Sequence, residues 1–218
     1  MKCTKTATHR KFHALPALQF SDQKLTSFAG IVLWQSLFQT LDVKASLTRC
    51  FSHLPGSSTY GHGVIMLLLT IHLVLGYRRL QDIRFYADDA LVQRALGLTS
   101  LPDASTVSRH LASMDEGSVV NLRDYNRDLV LQRLAQLKLP RVTRDFDGSV
   151  IGTCRFAEGT AVGFNRKKKG QRSYYPLFCT VAQTGQVLDV WHRPGNVHDA
   201  NGAKDFIQKC IEALRAKL

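Results

Sequence analysis

Two carboxylates one residue apart, Asp145 and Asp147, stand in the segment Arg141–Val150. The segment alternates: Val142, Arg144 and Phe146 face one way, and Thr143, Asp145 and Asp147 face the other. That is the period of a β-strand. Carboxylates fixed on a rigid strand suit Mg²⁺, a hard ion that prefers oxygen ligands. Two-metal phosphoryl transfer uses such groups to hold ions about 3.5–4 Å apart, one activating the nucleophile and one stabilising the leaving oxygen. An isolated Asp-x-Asp is more often a solvated strand end, so its neighbourhood decides.

The neighbourhood is cationic. Five of the seven residues Arg166–Arg172 are Lys or Arg: Arg166, Lys167, Lys168, Lys169 and Arg172. A loop of this kind lies along phosphates and releases counterions. Tyr174 and Tyr175 follow it, and either stack on bases or pack in a sheet. The whole chain agrees in sign, with 29 Lys and Arg against 17 Asp and Glu, a formal charge of +12. Arg141–Arg172 carries eight cationic against three acidic residues, and residues 1–24 carry five against one. A polyanion, nucleic acid first, is the implied partner.

The elements that must position these groups change at Pro140. Residues 1–139 read as helical and residues 140–218 as strands with a closing helix. In the first part, Ser27–Leu41 places Phe28, Ile31, Val32, Phe38 and Leu41 near one face, and Val43–Leu54 repeats the pattern. Pro55-Gly56-Ser57-Ser58 breaks it. The apolar run Val64–Leu75 predicts a core helix, with His72 a packed residue inside it. Arg79–Leu96 predicts an amphipathic helix stopped by Gly97. Asp103 or Ser105 can cap a further helix toward Met114. Helix, short turn and capped helix together form a helix-turn-helix pattern, whose second helix would offer Ser105, Thr106, Ser108 and Arg109 to DNA. Gly117–Leu139 closes the region. The second part predicts strands at Arg141–Val150, Ser173–Ala182 and Val187–Arg193. A helix follows over Asp199–Leu218, with Asp199 complementing its dipole.

Composition sets outer limits. With 218 residues, 44% hydrophobic and 21% charged, the chain can bury a core as one domain or two small ones, and disorder is a poor overall reading. The five Cys are odd in number and widely spaced, without Cys-x-x-Cys. A disulfide framework and a zinc knuckle are disfavoured, and a reducing cytoplasm fits. Cys50 and Cys179 read as core residues. The polar start Met1–Lys5 carries no secretory signal. Val64–Leu75 is too short for a membrane span of about 20 residues, so no membrane partner is expected.

Three ordered motifs carry a resemblance. Asp145-Phe146-Asp147-Gly148-Ser149-Val150 resembles the first acidic motif of bacterial insertion-sequence DDE transposases. Gly163-Phe164-Asn165 with Ser173-Tyr174-Tyr175-Pro176-Leu177, then Arg193-Pro194-Gly195-Asn196-Val197-His198-Asp199, resembles the insertion-sequence group numbered thirteen-eighty. Gly76–Asp82 and Leu101–Arg109 are similar to that group's N-terminal region. Phe164 stands where the group usually has Tyr, Tyr175 where it often has His, and Gly148 where it often has Ser.

The resemblance implies an α+β fold: a helical N-terminal region followed by a ribonuclease-H-like core, incomplete here as strand-strand-strand-helix. It implies Mg²⁺ as cofactor, with Asp147 as first catalytic carboxylate and metal ligand and Asp145 as second choice. Double-stranded DNA, as element ends and target, would be the substrate. A second copy or a full-length relative would be a partner, in the bacterial cytoplasm at the nucleoid. The family's second Asp and its Glu fall after the first core helix, where this sequence stops. The expectation is a truncated transposase, inactive alone. A DNA-binding regulator without catalysis and an inert gene remnant are the alternatives.

Overall fold

A computed structural model describes residues 26–55, 59–153, 157–163, 165 and 168–217. The fold is α+β. Six α-helices are described in the first part: α1 (Ile31–Thr40), α2 (Val43–Cys50), α3 (His62–Val74), α4 (Ala90–Leu96), α5 (Ala104–Ala112) and α6 (Glu116–Leu137), with a 3-10 helix at Leu80–Phe85. The strands are β1 (Arg144–Gly148), β2 (Ile151–Gly152), β3 (Ala161–Val162), β4 (Arg172–Tyr174), β5 (Leu177–Val181) and β6 (Val187–Trp191), and helix α7 (Ala203–Lys217) follows.

The first core forms around α3. Its Ile65, Leu67, Leu68 and Ile71 are fully buried against Leu47, Val92, Leu96 and Val107. Each such side chain contributes about 1.5–3 kcal/mol of transfer free energy. His72 lies in this core as a packed residue. Its Nδ1 meets the Tyr86 hydroxyl at 2.6 Å, and burial lowers its pKa, so it sits there neutral.

Strands β1, β5 and β6 form one antiparallel sheet in that order, so β1 is an edge strand paired, among the described residues, with β5. Helices α6 and α7 cover one face. Val130, Leu131 and Leu134 of α6, with Phe206, Cys210 and Leu214 of α7, pack on Leu177, Cys179, Val181 and Leu188. Phe146 joins this core edge-on to Phe206, at 6.1 Å between ring centres. The alternation in β1 therefore turns Asp145 and Asp147 to the uncovered face.

Helix α6 belongs to both cores, since Leu122 and Tyr125 pack on the first and Val130, Leu131 and Leu134 on the second. An ion cluster fixes it to β6. Arg123 donates to both Asp189 oxygens, at 2.9 and 3.0 Å, and Arg127 donates to Oδ2 at 2.9 Å. Asp189 is 3% exposed. Burial alone would raise its pKa, but the two guanidiniums and the Val190 N–H hold the carboxyl below the usual range.

Several elements differ from expectation. Arg79–Leu96 is not one helix, because Asp89 accepts the Leu91 and Val92 N–H groups and starts a new one. The side-chain cap outcompetes continuation of the apolar period. Helix α1 begins at Ile31 rather than Ser27, and Val32 and Leu41 of its expected inner face are exposed. Ser173–Ala182 is split at Pro176, which supplies no backbone N–H. Its first half enters a second sheet of order β2-β4-β3, whose strands of two or three residues are too short to show a period. The last helix starts at Ala203, so Asp199 lies ahead of it in a turn and does not serve its dipole.

Candidate active-site cleft

A cleft of about 740 Å³ opens at the C-terminal end of β1. Its lining includes Gly148, Ser149 and Val150, then Asn165 and Tyr175, then His198 and Asp199. Each group comes from one of the three motifs. Segments about 50 residues apart in sequence thus converge on one place.

Two glycines permit the approach. A Cβ on Gly163 would fall on the carbonyl oxygen of Gly195, so a side chain there would part the second and third motifs. A Cβ on Gly148 would strike Asp199 Oδ1 and come within 2.7 Å of Tyr175 Cζ. Ser, which the resembling group often carries at Gly148, would not fit without a shift of those side chains.

Arg193 organises the third motif. It is 2% exposed. Its Nε donates to the Tyr175 carbonyl at 3.1 Å, and its Nη1 to the carbonyls of His198, Asp199 and Asn201 at 3.3–3.4 Å. Its Nη2 reaches Asp199 Oδ1 at 3.3 Å, and the Tyr175 hydroxyl donates to Asp199 Oδ2 at 3.0 Å. Burial and the carboxylates of Asp199 and Asp147 raise the Tyr175 pKa, against Arg193. The phenol therefore stays protonated at neutral pH, close enough to Asp147 to feel its charge.

The predicted site residues separate into groups. Asp145 and Asp147 are exposed on one face of β1, opposite Thr180 and Phe178 of β5. Lys168 lines the cleft, and Lys169 is exposed beside it. The Lys168 N–H bonds Asn165 Oδ1 at 3.0 Å, which shapes the start of the basic turn. Arg166 and Lys167 lie outside the described residues. Arg172 has a structural engagement: its Nε donates to Thr160 Oγ1 at 2.8 Å and its Nη2 to the Thr160 carbonyl. Tyr174 packs on His192, ring centres 4.3 Å apart.

The other predicted group lies on α5, away from this cleft. Asp103 caps the helix by accepting the Thr106 N–H at 2.7 Å. Ser105, Ser108 and Arg109 are exposed. Arg109 folds along the helix, with Nη2 on Thr106 Oγ1 at 3.0 Å.

Residue order alone did not point to the ion pairs of buried Asp189 with Arg123 and Arg127, nor to the burial of Arg193. The one available signal was a charged residue inside the apolar run Val187–Trp191.

Among the described residues, no group of three His, Cys, Asp or Glu stands close enough to hold a metal ion. No described helix is long and apolar enough to cross a membrane. No curated protein and no solved structure matches the chain. The family model described as Transposase DDE domain group 1 matches residues 10–218, and the chain belongs to that transposase family.

Proposed function

We propose that the chain serves DNA transposition and supplies the first catalytic carboxylate, Asp147, on the first strand of a ribonuclease-H-like sheet. The convergence of three motifs on the cleft beside β1 carries this reading. The antiparallel order β1-β5-β6 followed by α7 supports the fold assignment, and the same motifs support membership of the insertion-sequence group numbered thirteen-eighty.

The donor set fits magnesium in kind. Asp147 and Asp145 offer hard oxygens on a rigid strand, exposed on the uncovered face. Asp147 is the assigned ligand, since it is next to the cleft at Gly148. When bound, magnesium supplies the charge that activates a hydroxyl nucleophile and stabilises a leaving oxygen. Asp199 is held by Arg193 and Tyr175, so it lines the cleft rather than joining the ligands. Lys168 and Lys169 are assigned to a phosphate backbone, as are Arg166 and Lys167 from their place in the sequence, while Arg172 is held by Thr160 and shapes the turn. Residues 1–139, through Ser105, Thr106, Ser108 and Arg109 of α5, position double-stranded DNA, both element ends and target. We place this activity at the nucleoid in the bacterial cytoplasm.

One carboxylate strand does not hold two ions in line. Among the described residues β1 pairs only with β5, and its other edge is where another strand would bring further carboxylates, from a second copy or a longer relative. With the described carboxylates by themselves, DNA binding without cutting is therefore expected. Footprinting and nicking of element-end DNA with Mg²⁺ test this at stated salt. Protection of the ends, weakened by Lys168→Glu with Lys169→Glu, and no nicking are expected. Indifference between ends and bulk DNA would overturn the DNA assignment. Nicking abolished by Asp147→Ala would overturn the incomplete-site reading.

A further inference from the structure

We infer that a second cavity, between α3 and α5, is an oxyanion site that accepts a phosphate group. It measures about 460 Å³ and is lined by Tyr60, His62, Thr106, Arg109, His110 and Ser113, with Pro55 and Thr59 at its side. No carboxylate is among these residues. Two imidazoles, a guanidinium and hydroxyls remain, and that set favours an anion.

The two histidines form its centre. His62, 9% exposed, opens α3, and its Nδ1 lies 3.2 Å from Nδ1 of His110 on α5. The rings meet edge to face, with centres 4.8 Å apart. Phe51 of α2 packs on His62, with centres 5.9 Å apart. A contact this short between two ring nitrogens places one proton between them. The accepting ring then carries its own proton on Nε2. One further proton on the pair makes both Nε2 atoms donors. The added charge is costly beside Arg109 unless an anion balances it.

The surroundings agree. His110 is held below the usual histidine range by burial first, then by His62 and Arg109. An anion in the cavity would reverse the two electrostatic contributions. Arg109 is already fixed along α5 by Thr106 Oγ1 and the Ser105 carbonyl, so its position needs little ordering. The nearby carboxylates are engaged elsewhere. Asp103 accepts the Thr106 N–H and the Ser105 hydroxyl, and Asp115 meets His53 Nε2 at 2.9 Å. The Tyr60 hydroxyl is turned to Ser100. The site therefore takes up a proton as it takes up its anion, and binding strengthens as pH falls.

The source of the phosphate rests on the reading that α5 meets DNA; the oxyanion site itself does not. Sulfate is the probe of choice, because its charge is constant between pH 5 and 8. The full chain is titrated with sulfate at two pH values and read by calorimetry and by imidazole NMR of His62 and His110. Saturable binding that shifts both rings and tightens up to about tenfold per pH unit is expected, the limit for one linked proton. His110→Gln should remove the pH dependence. Thr106→Ala, which leaves the imidazoles in place, should weaken binding and keep the dependence. No saturation, or binding indifferent to both pH and His110→Gln, would overturn the site. A short DNA duplex that competes with sulfate assigns the phosphate to a DNA backbone. Sulfate binding without competition assigns it to a free anion and overturns the DNA contact of α5 alone.

Discussion

The two cores of this protein hold together by different means. The helical core is mostly aliphatic, wrapped on several sides of α3, and a polar contact, His72 with Tyr86, is sealed inside it. Among the described residues, the sheet core is covered by helices on one face. Its docking depends on ionic and hydrogen bonds: Asp189 with Arg123 and Arg127, and Arg193 with the loop that carries His198 and Asp199. Asp145 and Asp147 lie on the other face, and the cleft opens at the end of their strand, from Gly148 onward. Burial makes the first region stable, and leaving a face open gives the second region a site.

That contrast can be broken from either side. The largest loss should come from the aliphatic core. Leu68→Ala should cost about 3 kcal/mol in denaturant unfolding, since the site cannot collapse around the cavity. A loss under about 1 kcal/mol would mean that α3 is less tightly enclosed than its burial indicates.

Asp189→Ala should follow at about 2 kcal/mol, reduced because Arg123 and Arg127 keep partial access to water. It should also change the pH dependence. The Asp189 pKa is depressed in the folded state, so its stabilisation is complete above the unfolded value of about 4 and is lost as pH falls below that. Acid unfolding should be shallower in the variant. An unchanged acid limb would show that the pair does not hold α6 to the sheet.

Asp103→Ala removes the cap of α5 and should lower the thermal melting midpoint, by less than the Asp189 change. Asp147→Asn should change stability by less than about 0.5 kcal/mol, because the group is exposed and spends nothing on packing. A marked loss there would make Asp147 structural.

Much of this division was legible from residue order. Alternation from Arg144 to Asp147 was readable because one sheet face is buried and the other is not, so Phe146 and its acidic neighbours separate cleanly. The Asp103 cap and the stop at Gly97 follow local chemistry, which sequence carries directly. What stayed hidden was non-local. Asp189 finds its arginines 62 and 66 positions away. The contact of Gly163 with Gly195 depends on a sheet of two- and three-residue strands that leaves no periodic trace. The motifs could be aligned to a family, but only the fold shows that they share a cleft.

The assignment of Asp147 as the first catalytic carboxylate is tested most directly with a paramagnetic metal. Mn²⁺ added to the full chain should broaden backbone amide signals around Asp147, Gly148 and Ser149, and Asp147→Asn should abolish the effect while the spectrum stays otherwise folded. Broadening centred elsewhere, or unchanged in the variant, would contradict it.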